Sequence, residues 1–252
     1  MHPRAAVRAA VVLADQGLSA SQIASRTDVP RSTVREWLAR PIVSSLDEDL
    51  AASCVRCGKD GGHRFEELSA PYAYLLGLYL GDGCLSSHPR GVYKLRIALD
   101  IKYPGIINEC VTAMRMAAAG IKVNRSTRPQ NYVEVYSYSK GWPCLFPQHG
   151  LGKKHQRTII LSPWQRRIVH EHPGALLRGL IHSDGCRFQN TCRGGWAQPR
   201  YGFSNLSMDI KQVFCDACDE LGVRWTVAPP KTVYVSRKAD VAVLDRYVGP
   251  KC

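Results

Sequence analysis

An apolar helical run that ends in an acid and a glycine occurs twice in this chain. The two runs are LLGLYLGDGC, from Leu75 to Cys84, and LLRGLIHSDGC, from Leu176 to Cys186. With Asp82 laid on Asp184 the offset is 102 residues, and at that offset Ala73 falls on Ala175, Leu75 on Leu177, Gly77 on Gly179, Leu78 on Leu180, Gly81 on Ser183, Gly83 on Gly185 and Cys84 on Cys186. Small residues recur every fourth position: Ala73, Gly77 and Gly81 in the first copy, Ala175, Gly179 and Ser183 in the second. That spacing puts each triplet on one face of its helix. Glycine inside a helix costs up to about 1 kcal/mol relative to alanine. A stripe that lets two helix backbones pack closely against each other supplies the compensation. Pro71 and Pro173 stand where a first helical turn tolerates proline. Gly83 and Gly185 are expected to close each helix in a left-handed residue.

The two aspartates follow from this packing. Each is the last residue before the closing glycine, so parallel helices bring Asp82 and Asp184 to the same end of the seam. Helix C-termini add partial negative charge there. Two carboxylates on two negative helix ends repel unless a cation lies between them. Oxygen ligands favour Mg²⁺ or a similar hard ion. Such a centre suits metal-assisted phosphodiester hydrolysis.

The charge balance points to the same kind of partner. The 252 residues include 34 Lys and Arg against 21 Asp and Glu, a net charge of +13. A chain this basic meets a polyanion, most commonly nucleic acid. No uncharged apolar stretch approaches the roughly 20 residues needed to span a bilayer. The N-terminal MHPRAAVRAAVVLADQG resembles an export signal only superficially, because Arg8 interrupts its apolar part. The ten cysteines are scattered. They are expected to be reduced thiols in a cytoplasmic, nucleoid-associated protein.

Residues 4 to 40 read as three short helices. The first stops at Gly17, Ser19 or Ser21 caps the second, and Pro30 opens the third, PRSTVREWLAR, with Val34, Trp37 and Leu38 at core spacing. The string LSASQIASRTDVPRSTVREWL resembles a helix-turn-helix DNA-binding unit. In that geometry the third helix enters the major groove by its N-terminal end, so Arg31, Ser32, Thr33 and Arg35 face DNA. A connector follows, with SCVRCGKDGGH at its centre. Cys54 and Cys57 have the two-residue gap that lets both thiolates hold one structural Zn²⁺, and His63 is a third candidate ligand. Cys84, His88, Cys144 and His149 are candidates for a fourth.

Both acidic runs resemble the LAGLIDADG motif of homing endonucleases, and the likeness extends over most of residues 70 to 252. It implies an α+β fold: two αββαββα units, related by a pseudo-two-fold axis, in a monomer whose antiparallel strands straddle double-stranded DNA. Asp82 and Asp184 match the family's metal-binding acidic position. Two residues earlier, where that family often has an acid, stand Leu80 and His182. The resulting organisation is a helix-turn-helix domain at 1–43, a connector with the zinc-knuckle pattern at 44–69, a first unit at 70–150, a basic linker at 151–172 and a second unit at 173–252. Lys153 or Lys154 in the linker, and Lys251 after the second unit, resemble the lysine that lies near the active site in that family. Strand patterns such as Tyr132 to Tyr136 and Thr232 to Ser236 support the duplication. The Asp-Ile-Lys triplets at Asp100 and Asp209 are expected to start helices, and the helix after the second is expected to be shorter. Lys94, Arg96, Arg125, Arg128, Arg200, Arg224 and Arg237 are candidate DNA contacts whose facing depends on strand register.

Two functions fit this pattern. One is a Mg²⁺-dependent, site-specific DNA endonuclease, favoured because both aspartates are present. The other is a transcriptional regulator on a catalytically retired scaffold of the same kind, suggested by the N-terminal unit.

Overall fold

A computed structural model describes residues 4–39, 54, 57–59, 62–191, 197–229, 232–249 and 251 of the protein. The chain divides into two compact units, Met1–Arg64 and Phe65–Cys252.

The first unit carries three helices, α1 (Arg4–Asp15), α2 (Ala20–Thr27) and α3 (Arg31–Ala39). Gly17 takes φ +82, and its amide donates to the Ala14 carbonyl, which closes α1. Ser19 caps α2 in a reciprocal arrangement with Gln22, so two otherwise unsatisfied amides find partners. Asp28, at φ 52, turns the chain into α3. Pro30 stands one residue before that helix, its carbonyl accepting from the Val34 amide. Ala10, Leu13, Ile23, Val29 and Val34 form the core of this unit. Leu38, expected in that core, is 38% exposed instead. Val34, one helical turn earlier, fills the position against α1 and α2.

The second unit is the duplication. Its first copy runs α4 (Ala70–Asp82), β1 (Gly83–Ser87), β2 (Tyr93–Asp100), α5 (Pro104–Ala117), β3 (Val123–Arg128), β4 (Tyr132–Ser139) and a short α6 (Trp142–Leu145). A linker helix, α7 (Pro163–Glu171), precedes the second copy: α8 (Pro173–Asp184), β5 (Gly185–Thr191), β6 (Ala197–Ser204), α9 (Met208–Glu220), β7 (Thr226–Ala228), β8 (Thr232–Val235) and α10 (Lys238–Val248). Each copy makes an antiparallel four-stranded sheet, with strand orders β1-β2-β4-β3 and β5-β6-β8-β7. The α+β class and the αββαββα order are therefore both present.

The motif helices α4 and α8 form the central seam. Leu75, Leu76, Leu78 and Leu80 on α4 and Leu176, Leu177 and Leu180 on α8 are 0% exposed. Each such burial stabilises by about 1.5–3 kcal/mol. The glycines set the closeness. A Cβ on Gly179 would lie 2.2 Å from the Tyr74 carbonyl oxygen, and one on Gly77 would lie 2.5 Å from the Leu176 carbonyl oxygen. These are backbone-to-backbone approaches that no side chain can share.

Three expectations need correction. Gly83 and Gly185 are not left-handed; their φ values are −86 and −118, and each begins a strand. Glycine is needed there for space, since a Cβ would come within 2.5 Å of the Tyr79 Cα or 2.7 Å of the Ile181 Cα. Nor are the two Asp-Ile-Lys triplets equivalent. Asp209 does lie in the first turn of α9, where its carboxylate accepts from the Ile159 amide at 2.8 Å. Asp100 ends β2 and accepts from the Lys102 amide at 3.0 Å. Finally, α9 has 13 residues against 14 in α5, so the helices hardly differ in length. The true offset is carried by the hairpins, where Gly83 pairs Ile97 but Gly185 pairs Phe203.

Candidate active site and nucleic-acid interface

Asp82 and Asp184 end their helices side by side. A Cβ on Gly81, the residue before Asp82, would sit 3.2 Å from Asp184 Oδ2. Asp82 is exposed at the end of α4 and Asp184 is half-buried, with protein crowding both. Partial desolvation by the surrounding protein, then the neighbouring Asp184 charge, push Asp82 up to about 6, against the pull of Lys154 and Lys251. Asp184 is raised by burial as well, opposed by a hydrogen bond from Asn205 Nδ2 at 2.7 Å and by the same two lysines.

Two lysines close the site from opposite sides. Lys154 Nζ donates to the Gly81 carbonyl at 2.9 Å and lies over the Tyr79 ring. Lys251 Nζ donates to the Gly185 carbonyl at 2.6 Å. Burial lowers Lys154 to about 8, with Asp184 and Asp82 resisting; Lys251 is lowered too, chiefly by burial. Both linker candidates line the cavity beside Asp184; Lys154 is half-buried and its charge acts on both aspartates, whereas Lys153 is exposed. A cavity of about 450 Å³ holds Lys154 with Asp184, and one of about 230 Å³ holds Lys251 with Asp82. The lysine following each copy thus shares a cavity with the aspartate of the other copy, which keeps the pseudo-symmetry.

Several supporting residues are invisible to motif reading. Asn205 follows β6 and fixes the Asp184 carboxylate. Arg157 organises the loop at the mouth of the larger cavity, donating to the carbonyls of Gln148, Gly150 and Gly152. His182, at the variable position before Asp184, is buried and pushed down to about 3 by desolvation and Arg178. As a neutral ring it donates from Nε2 to the Val248 carbonyl at 3.2 Å and accepts the Tyr74 hydroxyl at Nδ1, 3.0 Å away. It is a satisfied seam residue that leaves the chemistry to Asp184.

Register now sorts the basic residues. In the first sheet Leu95, Ile97, Val133 and Val135 face the helices. Residues paired as Arg96↔Tyr136, Lys94↔Tyr138 and Arg128↔Tyr132 share the opposite, open face. There the Glu134 carboxylate lies 2.6 Å from Arg128 and 3.8 Å from each of Lys94 and Arg96. Arg128 first, and then the other two cations, hold Glu134 below the usual carboxylate range despite its burial. One acid thus positions three cations. Arg125 pairs with Val135, on the helix face, and its guanidinium donates to Asn108 of α5 at 2.8 Å. In the second sheet Arg200 pairs with Phe188 on the open face. Arg224 precedes β7 and lies 3.7 Å from Asp240 of α10; Arg237 is the residue before α10. These two stand outside the strands. In the first unit Arg31, Ser32 and Arg35 are exposed on α3, and Thr33 is partly so.

The second unit is a duplicated αββαββα scaffold with two four-stranded antiparallel sheets and paired acidic helix ends. Its fold is that of the LAGLIDADG homing endonucleases, and the N-terminal segment adds a helix-turn-helix unit. Residues 2–41 match the homeodomain-like domain. Structures of mesophilic variants of the homing endonuclease I-DmoI match 72% of this chain and 96% of theirs, at 14% identity and a TM-score of 0.50. I-DmoI in complex with DNA and Mn matches over 73% and 98%, at 16% identity and a TM-score of 0.50. At these identities what is shared is the fold. No curated protein matches the chain in sequence. Among the described residues no helix is long and apolar enough to cross a membrane.

Proposed function

We propose that the protein is a sequence-specific DNA endonuclease that cuts both strands with a divalent cation, Mg²⁺ or a close relative, at Asp82 and Asp184. The observation that carries this reading is the convergence of two carboxylates, Asp82 and Asp184, and two half-buried lysines, Lys154 and Lys251, at one end of the glycine seam. A protein that only binds DNA gains nothing from such a cluster. The carboxylates repel, burial penalises them, and the helix termini add negative charge. That fits a hard, oxygen-ligated cation, held by Asp82 and Asp184 with waters and substrate phosphate completing the shell. Bound there, such an ion lowers the pKa of a water and stabilises negative charge on the departing oxygen.

The chain's own residues do the rest. Asn205 keeps the Asp184 carboxylate in one orientation. Lys154 and Lys251, tied to the Gly81 and Gly185 carbonyls, put positive charge beside the scissile phosphates. A lysine near pKa 8 can also give or take a proton close to neutral pH. Lys94, Arg96, Arg128 and Arg200 on the open sheet faces hold the duplex, and α3 supplies a second reading element through Arg31, Ser32, Thr33 and Arg35.

Two results are expected. Lys154→Met should lower the cleavage rate by about 10²-fold or more. It should change the salt slope of binding by no more than about one. Arg96→Ala should weaken binding by about 1–3 kcal/mol if it reads a base, whereas Arg125→Ala, on the helix face, should leave affinity unchanged. Fluorescence anisotropy across a salt series checks both.

The reading as a whole is tested by selecting bound duplexes from a random library and incubating them with the protein, with Mg²⁺ and with EDTA. Cuts in Mg²⁺ alone support it. Tight binding that leaves every duplex intact with Mg²⁺, Mn²⁺ and Ca²⁺ would instead make the protein a transcriptional regulator on a retired nuclease scaffold.

A further inference from the structure

The first unit holds a second cluster whose chemistry differs from that of the aspartates. The Cys57 and Gly58 amides both donate to the Cys54 carbonyl, at 3.2 and 2.6 Å, and the Cys54 amide donates to the Lys59 carbonyl at 3.0 Å. This tight turn needs Gly58 at φ +67, and a second left-handed glycine, Gly62 at φ +68, brings the chain back. The outcome is convergence. The Cys54 and Cys57 sulfurs and a His63 ring nitrogen all lie within 4.8 Å of one another, with Cys57 Sγ 3.1 Å from His63 Nε2. Ligand atoms around a tetrahedral zinc lie about 3.5–3.8 Å apart, given Zn–S near 2.3 Å and Zn–N near 2.0 Å. A small adjustment therefore closes the three around one ion.

Metal binding to such a turn can contribute folding free energy. Two thiolates and an imidazole select zinc over magnesium, so this ion would be distinct from the one at Asp82 and Asp184.

We infer that Cys54, Cys57 and His63 hold one structural Zn²⁺, which fixes the connector after the helix-turn-helix helices as a zinc knuckle; a fourth donor completes the tetrahedron. The test uses the full chain, expressed with zinc in the medium. Elemental analysis should find about one zinc per chain. Cys57→Ser and His63→Ala should each lose at least about nine-tenths of it, on the scale of affinity lost with a ligand. His63→Cys should keep it, because a third thiolate replaces the imidazole, and Cys186→Ser, at an exposed thiol on β5, should keep it too. Trypsin adds a readout independent of DNA. Cleavage at Lys59 and Arg64 should speed up by about tenfold or more in Cys57→Ser or after chelation, as a protected turn opens. Zinc content that is nil in the wild type, or equal in wild type and Cys57→Ser, with unchanged trypsin cutting, would overturn the inference.

Discussion

Asp82→Asn should abolish cleavage and, at pH 7, make the metal-free protein more stable. The two effects have one cause. Asp82 is pushed up to about 6 because folding partly desolvates its carboxyl and sets it beside Asp184. Between an unfolded value near 3.8 and that folded value, the native state holds a proton that the unfolded chain has released. Stability therefore falls as pH rises from about 4 to about 6, and most of the loss is present at pH 7; because Asp82 is exposed, solvent screening holds it to about 1 kcal/mol. Asparagine keeps the shape without the charge. Since Lys154 and Lys251 lose a partner, the net gain should be smaller still, about 0.5 kcal/mol, or roughly 1–2 °C in Tm for a chain of this size. Cleavage should drop by at least about 10³-fold, the several kcal/mol that a catalytic cation supplies. DNA affinity in Ca²⁺-free, Mg²⁺-free buffer should hold or improve, because a negative charge leaves the phosphate path. Calorimetry at pH 4.5 and pH 7 checks the sign: the stabilising effect of the substitution should shrink at the lower pH. Equal destabilisation at both would mean that Asp82 is a structural cap.

Gly179→Ala should be the most damaging added methyl among the described glycines. Its Cβ would sit 2.2 Å from the Tyr74 carbonyl oxygen and 3.0 Å from the Gly77 Cα. Both are backbone atoms of the facing helix, so no rotamer change relieves the clash. The helices must separate, which opens the leucine core around them and moves Asp82 away from Asp184. Overpacking costs typically 1–3 kcal/mol. With the loss of seam packing the total should exceed about 4 kcal/mol, a large share of a domain's stability. Gly222→Ala is the control. That glycine has φ +66 and nothing within 4 Å of the added methyl, so it should cost only about 1–2 kcal/mol of backbone strain. Urea titration of the two variants separates them. A Gly179→Ala protein as stable as Gly222→Ala would show that the seam is looser than described.

Local periodicity carried much of this in the sequence. The four-residue stripe of Gly77, Gly81, Gly179 and Ser183 needs only helix geometry to be read as a contact face, and Asp82 and Asp184 follow from it. Ser19 capping α2 and Gly17 closing α1 are equally local. What stayed hidden depends on distant partners. Gly83 and Gly185 were expected to be left-handed, yet they are glycines because Tyr79 and Ile181 crowd them, a fact of tertiary packing. The Asp100 and Asp209 triplets look alike but sit in different elements, because hairpins of unequal length absorb the offset. Arg125 and Arg128 cannot be sorted by strand alternation until pairing with β4 fixes which face is open. Asn205 and Arg157 act from loops, where no period marks them.

The central claim is that the two aspartates form one cation-dependent cutting centre on a pseudo-symmetric scaffold. Strand-resolved analysis of a selected duplex, incubated with the wild-type protein and Mg²⁺, tests it most directly. The expected result is one cut in each strand, placed symmetrically about the centre of the bound site, with both lost in Asp82→Asn and in Asp184→Asn. A duplex that stays whole while fully bound, or cuts that persist in both variants, would contradict it.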